Sequence, residues 1–140
     1  MNDVTLREIT KKDWDFILDL RNEFHQNFYK QKKSLTKEEH YSYLEKQETN
    51  QNFHHWIIKF QGEDAGYVRV LDEDVGIMIK KNYHSKGIAT HALKLVESEA
   101  KRLGIKKLIA LIRIENNSSK TIFTKNDFKL VMEWYEKELK

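Results

Sequence analysis

The sequence predicts one mixed α/β domain in which helices pack on a central, mostly antiparallel sheet. Strand-like and helix-like runs follow one another in the order β-α-α-β-β-β-α-β-α-β. Of the 140 residues, 39% are hydrophobic, which is enough for a sizeable core. The chain has no proline, five glycines, no repeat and no low-complexity segment. Since no composition break marks a boundary, we expect residues 1–140 to form a single domain.

The first part of the chain predicts a strand followed by two helices. Residues 4–9 alternate between apolar and polar side chains, which is typical of a strand. Thr10 or Asp13 can cap a first helix. A second helix is predicted from Lys37 to about Gln47, and the polar, aromatic segment between the helices reads as a loop or an irregular helix end. The apolar face of the first helix is predicted to include Trp14, Ile17 and Leu18.

The middle of the chain predicts an antiparallel meander and a long helix. Residues 53–60, 66–71 and 75–79 read as short strands separated by polar turns. A helix follows from Gly87, and Gly104 is well placed to end it because glycine readily adopts the left-handed conformation found there.

The last part of the chain predicts two more strands around a short helix. Residues 107–114 are apolar and β-branched, residues 118–125 are helical, and residues 128–135 alternate as a final strand. The strand–helix–strand unit of residues 75–114 implies a parallel, right-handed pair. A final strand at an open sheet edge could pair with a second chain, so a homodimer is possible.

Charge and composition narrow the class of protein. The net charge of +3 favours a polyanionic small ligand and argues against a dedicated nucleic-acid binder. The absence of cysteine excludes a disulfide framework and a thiolate site, and the six histidines form no HExxH pattern, so we expect no metal. No stretch is long and apolar enough to span a membrane, and residues 1–4 show no basic region followed by an apolar one, so we expect no signal peptide. We therefore expect a cytoplasmic protein.

The most informative segment is His84-Ser85-Lys86-Gly87-Ile88-Ala89-Thr90, which connects a predicted strand to a predicted helix. The first turn of a helix has N–H groups without intrahelical partners, and the helix dipole is positive there. Together they suit a phosphate. Because Gly87 has no side chain, a ligand can approach the backbone closely.

With this segment, the chain resembles the GNAT superfamily of acetyl-CoA-dependent N-acetyltransferases. The family motif Gln/Arg-x-x-Gly-x-Gly/Ala is matched from Gly87 onward, while His84 departs from it. The second motif, Asn-x-x-Ala/Ser-x-x-Leu-Tyr-x-x-x-Gly-Phe, is matched at Asn116, Ser119, Ile122 and Phe128. Asp127 replaces the usual glycine, a tolerable exchange because Asp visits left-handed conformations. Phe123 replaces the usual tyrosine.

The resemblance implies acetyl-CoA as co-substrate and a primary amine as acceptor. It implies that the strand backbone binds the pantetheine arm, that the 84–90 loop binds the pyrophosphate, and that the second motif contacts the arm. The coenzyme-binding residues implied in this way are Ile77, Met78, Ile79, His84, Ser85, Lys86, Gly87, Ile88, Ala89, Thr90, Asn116, Ser119 and Phe123.

The catalytic groups are less well defined. Glu73 precedes the strand of residues 75–79, where some family members carry a general base; the alternative is that residues 72–74 form a solvated acidic turn. Phe123 has no hydroxyl and cannot protonate the departing thiolate. Tyr83 and Tyr29 are other hydroxyl groups whose positions the sequence does not fix. The reaction can also proceed without an acid, because a thiol with a pKa of about 8.5 leaves as thiolate.

The acceptor remains open between several classes. The segments 21–29 and 36–40 resemble, less specifically, the acceptor side of enzymes that acetylate nucleotide-linked amino sugars or ribosomal-protein N-termini. The alternative is a packed helix pair with polar outer faces. We expect a small-molecule amine, such as an amino sugar, ahead of a protein amine. The rival from another class is a catalytically weak acyl-CoA-binding regulatory module, which the missing hydroxyl at Phe123 suggests.

Overall fold

The structure, a computed structural model, describes residues 3–24 and 33–140. Short 3₁₀ turns at Lys11–Asp13 and Lys81–Tyr83 lie before α1 and before α3. Among the described residues, no helix is both long enough and apolar enough to cross a membrane. The regular elements in chain order are β1 (Val4–Glu8), α1 (Trp14–Phe24), α2 (Lys37–Gln47), β2 (Phe53–Phe60), β3 (Glu63–Leu71), β4 (Asp74–Ile79), α3 (Ile88–Arg102) and α4 (Asn117–Lys125).

The four strands form one antiparallel sheet in the order β1-β2-β3-β4, which confirms the predicted meander and the mixed α/β fold class. β3 pairs with β4 so that Val68 lies opposite Ile77 and Tyr67 opposite Met78. Since side chains alternate across a strand, the sheet has two apolar faces. One face packs against α3, and the other packs against α1 and α2.

Capping groups fix where the first two helices begin. Arg7 donates two hydrogen bonds to the Asp13 carboxylate, at 2.9 and 2.8 Å, and so joins β1 to the start of α1. α2 begins after Thr36, whose hydroxyl accepts from the Glu39 N–H at 3.1 Å. The predicted bounds of α2 are therefore confirmed. In α1, however, the fully buried leucine is Leu20 and not Leu18.

The structure corrects the prediction for the two C-terminal strands. Residues 107–114 meet β4 at one isolated parallel bridge, where Val75 N–H donates to Ile109 C=O at 2.9 Å and Ile109 N–H donates to Glu73 C=O at 2.8 Å. The predicted parallel direction is thus confirmed, but the pairing ends at the bridge. Residues 128–135 form no strand, and Val131 is 89% exposed. Side-chain alternation predicted a strand there, but a strand also needs a backbone partner, and the described residues supply none.

Candidate coenzyme and acceptor site

A cavity of about 910 Å³ lies where β4 and the segment after Ile109 diverge. β4, the 84–90 loop and the second motif all contribute to its lining. The described lining residues include Ile77, Met78, Ile79, Tyr83, His84, Ser85, Gly87, Ile88, Ala89, Thr90, Asn116, Ser119 and Phe123. The structure therefore brings together all but one of the predicted coenzyme-binding residues; Lys86 is not among the lining residues.

The free edge of β4 offers backbone groups to this cavity. Val75 N–H points away from β3, towards Ile109. Because alternate residues of a strand direct their N–H and C=O groups to the same side, those of Ile77 and Ile79 point away from β3 as well. Met78 directs its backbone groups towards β3 and its side chain into the layer beneath α1 and α2. Of the three predicted strand residues, Ile77 thus presents its N–H and C=O groups to a ligand, and Ile79 presents its N–H, because its C=O is bonded to the His84 side chain.

The 84–90 loop owes its shape to two left-handed residues. Ser85 has φ 63° and Gly87 has φ 76°, and α3 begins at Ile88 directly afterwards. Glycine adopts such a φ without strain, whereas serine does so less easily. The turn places the first N–H groups of α3 at the cavity, where they lack intrahelical partners. This geometry is suited to an anion.

The His84 side chain joins the loop to the end of β4. Its Nε2 lies 2.6 Å from the Ile79 carbonyl oxygen. A carbonyl can only accept, so Nε2 carries the proton and donates it. The ring also lies 5.7 Å from the Phe24 ring. Because this ring nitrogen is bonded within the protein, the backbone of the loop is better placed than the ring to meet a phosphate.

The second motif forms the facing wall. The Asn116 side-chain oxygen accepts from Ser119 N–H at 3.1 Å and caps α4. Phe123 is only 5% exposed and packs edge-to-face on Phe128, with ring centroids 5.0 Å apart. Asp127 has φ 66°, which confirms the expected left-handed conformation at the usual glycine position.

Glu73 is not brought to the cavity. It lies in the turn between β3 and β4, its side chain is 41% exposed, and Lys107 Nζ is 4.0 Å from its carboxylate. This placement fits the solvated acidic turn, because the carboxylate precedes the strand and faces solvent. Tyr83, whose position the sequence did not fix, lines the cavity. Residues 25–32, which include Tyr29 and most of the predicted aromatic acceptor loop, lie outside the described residues.

The cavity is also lined by further side chains, of which the sequence analysis placed only Arg21, within the predicted acceptor segment 21–29. They come from α1, α2, β3 and β4, and the polar ones are Arg21, Tyr43, Tyr67, Arg69 and Asp74. Two sequence signals could have indicated them. Arg21 lies four residues after the buried Ile17 on the same helix face, and Arg69 interrupts the apolar alternation of β3. A charge at such a position is usually paired or functional.

Hydrogen bonds hold Tyr67 and Arg21 in place. The hydroxyl oxygen of buried Tyr67 lies 2.9 Å from His55 Nδ1. Burial raises the pKa of Tyr67 and lowers that of His55 to about 4. Buried His40 donates from Nε2 to Trp14 C=O at 2.8 Å and accepts at Nδ1 from Arg21 at 3.2 Å. The pKa of His40 is lowered by burial. Among the described residues, no group of three His, Asp or Glu side chains is placed to hold a metal ion.

The similarities to known proteins agree with this geometry. A family model described as an acetyltransferase (GNAT) domain matches residues 3–129. A domain from Methanocaldococcus jannaschii DSM 2661 is similar in structure, with 28% identity, a TM-score of 0.81, and coverage of 95% of this chain and 92% of that one. No curated protein matches by sequence.

Two acetyltransferase structures are similar at lower identity. RimL, described as a ribosomal L7/L12 alpha-N-protein acetyltransferase in complex with coenzyme A, is 16% identical, with a TM-score of 0.78 over 94% of this chain and 83% of that one. Spermidine N-acetyltransferase from Vibrio cholerae, in complex with CoA and spermine, is 16% identical, with a TM-score of 0.79 over 89% and 80%. At this identity the similarities show the fold.

Proposed function

The chain belongs to the GNAT acetyltransferase family, and from this premise we propose that it transfers the acetyl group of acetyl-CoA to a primary amine, with a small-molecule acceptor, such as an amino sugar, ahead of a protein amine. One observation carries the proposal: the β4 edge, the 84–90 loop and the Asn116 segment line one cavity. Each supplies a different kind of contact that the coenzyme needs.

The proposed binding mode follows from the groups in place. The amides of the pantetheine arm pair with the outward N–H and C=O groups of Ile77 and with the N–H of Ile79, as a further strand would. The pyrophosphate meets the N–H groups that follow Gly87. Asn116 and Ser119 border the arm from the α4 side. Lys86, outside the cavity lining, contributes positive charge near the phosphates.

The chemistry needs a neutral amine next to the thioester. The amine nitrogen attacks the carbonyl carbon, the carbon–sulfur bond breaks, and the sulfur departs as thiolate while the nitrogen loses a proton. We propose that holding amine and thioester together supplies most of the acceleration. No acid is required at Phe123, since the thiol pKa is about 8.5. If an acid takes part, we propose Tyr83, which precedes the loop and lines the cavity.

A thioester-consumption assay over a panel of amines tests the proposal. We expect turnover with at least one small amine, and Gly87→Ala should raise the KM for acetyl-CoA by about tenfold or more, because a methyl group at the loop blocks the close approach of the phosphate. Gly104→Ala is the matched control, since Gly104 has a similar φ of 81° and does not line the cavity. Coenzyme binding without turnover on every amine would favour the regulatory module instead.

A protein amine is the second candidate acceptor. Structures described as ribosomal-protein N-acetyltransferases, RimL and an enzyme from Brucella melitensis, support it by their similarity of fold. Peptides with free N-termini therefore belong in the same panel. A kcat/KM for such peptides well above that for every small amine would reverse our order of preference.

We also propose that two copies of the chain associate through the C-terminal segment. Among the described residues, no backbone hydrogen bond involves residues 129–140, and the segment exposes apolar side chains, including Leu130, Val131 and Met132. A second copy offers the same open segment. Light scattering should give about twice the chain mass, and a monomer at high protein concentration would overturn the pairing.

A further inference from the structure

Among the described residues that line the cavity, Asp74 is the only one with a carboxylate. Residues 1–2 and 25–32, which the structure does not describe, contain neither Asp nor Glu. The lysine and arginine side chains of the described lining are Arg21, Arg69 and Lys125. A cationic ligand that enters this cavity therefore finds its opposite charge at Asp74.

The strand pairing fixes the direction of the Asp74 side chain. Asp74 lies at the start of β4, opposite Leu71 of β3. Residues directly opposite each other in an antiparallel pair project their side chains to the same face, and Leu71 packs in the layer beneath α1 and α2. The Asp74 side chain is 19% exposed on that face. Its carboxylate is therefore largely removed from bulk water.

Arg69 holds this carboxylate in place and leaves one of its oxygens open. Arg69 Nη1 donates to the Asp74 carbonyl at 2.9 Å, and Nη2 lies 3.5 Å from Oδ2 of the carboxylate. The second distance is longer than the value of about 2.7–2.9 Å that is usual between charged partners. Among the described residues, no donor contacts Oδ1. Because a carboxylate oxygen can accept two hydrogen bonds, Oδ1 has unused capacity for a ligand.

The proposed path of the coenzyme brings the thioester towards Asp74. The pyrophosphate is assigned to the 84–90 loop, which follows the last residue of β4. From there the pantetheine arm runs back along the strand, past the N–H of Ile79 and then past Ile77. Asp74 lies three residues before Ile77, or about 10 Å along the strand. An amine that attacks the thioester therefore approaches β4 on the side of Ile77 where Asp74 lies.

We propose that Asp74 binds the amino group of the acceptor in its ammonium form, through Oδ1, so that the acceptor is an aliphatic and not an aromatic amine. The inference rests on the proposed function, and it narrows the class of acceptor. An aliphatic amine such as that of lysine has a pKa of about 10.4 and is cationic at neutral pH. It can therefore donate a charge-assisted hydrogen bond to the carboxylate. An aromatic amine is neutral at this pH and gains no such bond.

Amines and their hydroxyl counterparts test the proposal by equilibrium binding. The pairs are glucosamine with glucose, alaninamide with lactamide, and benzylamine with benzyl alcohol. Binding is measured by calorimetry at pH 7 on protein saturated with coenzyme A, which carries no acetyl group to transfer. We expect the Kd of the amine in at least one pair to be about tenfold or more below that of its alcohol, as charge-assisted hydrogen bonds allow. The ratio should fall as salt is raised, because salt screens the attraction. Aniline should bind no better than benzyl alcohol.

Variants connect the preference to one carboxylate. Asp74→Asn keeps the shape of the side chain and removes its charge, so it should bring the ratio to about threefold or less and leave the Kd of the alcohol within about twofold. Asp72→Asn is the matched control, because Asp72 is exposed in the same turn, does not line the cavity, and has a φ of 58° that Asn tolerates. Asp74→Glu, which keeps the charge, should retain part of the preference. If Asp74→Asn does not fold, the salt series and the aniline comparison on the unaltered protein decide.

The outcomes separate this inference from the proposed function. Equal Kd values for amine and alcohol in every pair, with acetylation of an amine still observed in the thioester assay, overturn the inference and leave the acetyltransferase intact. A preference for the amine that persists in Asp74→Asn overturns the role of Asp74. An equal rise in the Kd of amine and alcohol in that variant indicates a purely structural role and overturns it as well. Coenzyme binding with no acetylation of any amine overturns the proposed function and this inference with it.

Discussion

At Gly66, the addition of a single methyl group should lower the free energy of unfolding most. Gly66 lies in β3 opposite Ile79 of β4, next to the bulge where β2 changes register. A Cβ built there would overlap the Met78 carbonyl oxygen and lie 2.9 Å from Ile79 Cδ1 and 3.2 Å from Ile79 Cα. Two of these three atoms are not the ends of flexible side chains. Gly66→Ala can therefore be accommodated only if β3 and β4 move apart.

The expected cost follows from that geometry. Overpacking a buried site costs about 1–3 kcal/mol, and we expect about 3 kcal/mol here because backbone atoms must move. Gly104→Ala isolates the other penalty of replacing glycine: Gly104 has φ 81° and nothing within 4 Å of an added Cβ. Left-handed strain alone costs about 1 kcal/mol or slightly more, partly offset by the lower entropy of the unfolded chain.

Urea unfolding followed by circular dichroism measures both variants. Gly66→Ala should lower the midpoint by two to three times as much as Gly104→Ala, roughly the ratio of the two costs, with unchanged slope. Among molecules that remain folded, it should also weaken coenzyme binding, because Ile79 lies on the proposed binding edge. If Gly66→Ala costs no more than Gly104→Ala, the close approach of the two strands is not what requires glycine at this position.

Three further predictions concern stability and catalysis. Thr36→Ala should destabilise the protein by about 1 kcal/mol in the same urea assay, because it removes the hydroxyl that caps α2 at Glu39 N–H. An equal loss in Glu39→Ala would reflect the reciprocal bond, in which the Glu39 carboxylate accepts from Thr36 N–H at 2.9 Å. Burial lowers the pKa of His55 to about 4 and also lowers that of His40, so the unfolded chain binds protons first as the pH falls. The free energy of unfolding should then have its full value above about pH 6.5 and decrease towards pH 4, with a loss of about 3 kcal/mol from His55 alone. A free energy of unfolding that does not change with pH, as measured by urea titration, would contradict this. Glu73→Gln should leave the pH dependence of kcat/KM unchanged, since the carboxylate lies outside the cavity. A shift in one limb of the pH profile would instead support Glu73 as the general base.

Local signals in the sequence predicted the parts of the fold that local chemistry decides. The bounds of α2 follow from the Thr36 cap and the apolar spacing, and the end of α3 follows from Gly104. The loop that includes Ser85 and Gly87 was recognisable because a short motif fixes its backbone shape. In each case a few neighbouring residues determine the local structure.

The parts that the sequence did not predict depend on contacts between distant residues. Residues 128–135 have the alternation of a strand, yet alternation describes only side chains, and pairing depends on a partner edge. The lining of the cavity unites Arg21 with Arg69, which are separated by two other elements, α2 and β2, along the chain. Glu73 precedes β4, but the pattern could not tell on which side of the turn its carboxylate would lie.

The single parallel bridge at Ile109 has a consequence for how the protein holds together. Beyond it, β4 and residues 110–116 separate, and the gap between them opens into the cavity. In the proposed complex the pantetheine arm fills this gap with its own amides, so the bound coenzyme is both co-substrate and sheet component. By mass action, coenzyme at about one hundred times its Kd would add about 2.7 kcal/mol to the stability of the fold. The enzyme would then be most stable when it is loaded for reaction, and its resistance to unfolding would follow the supply of its own substrate.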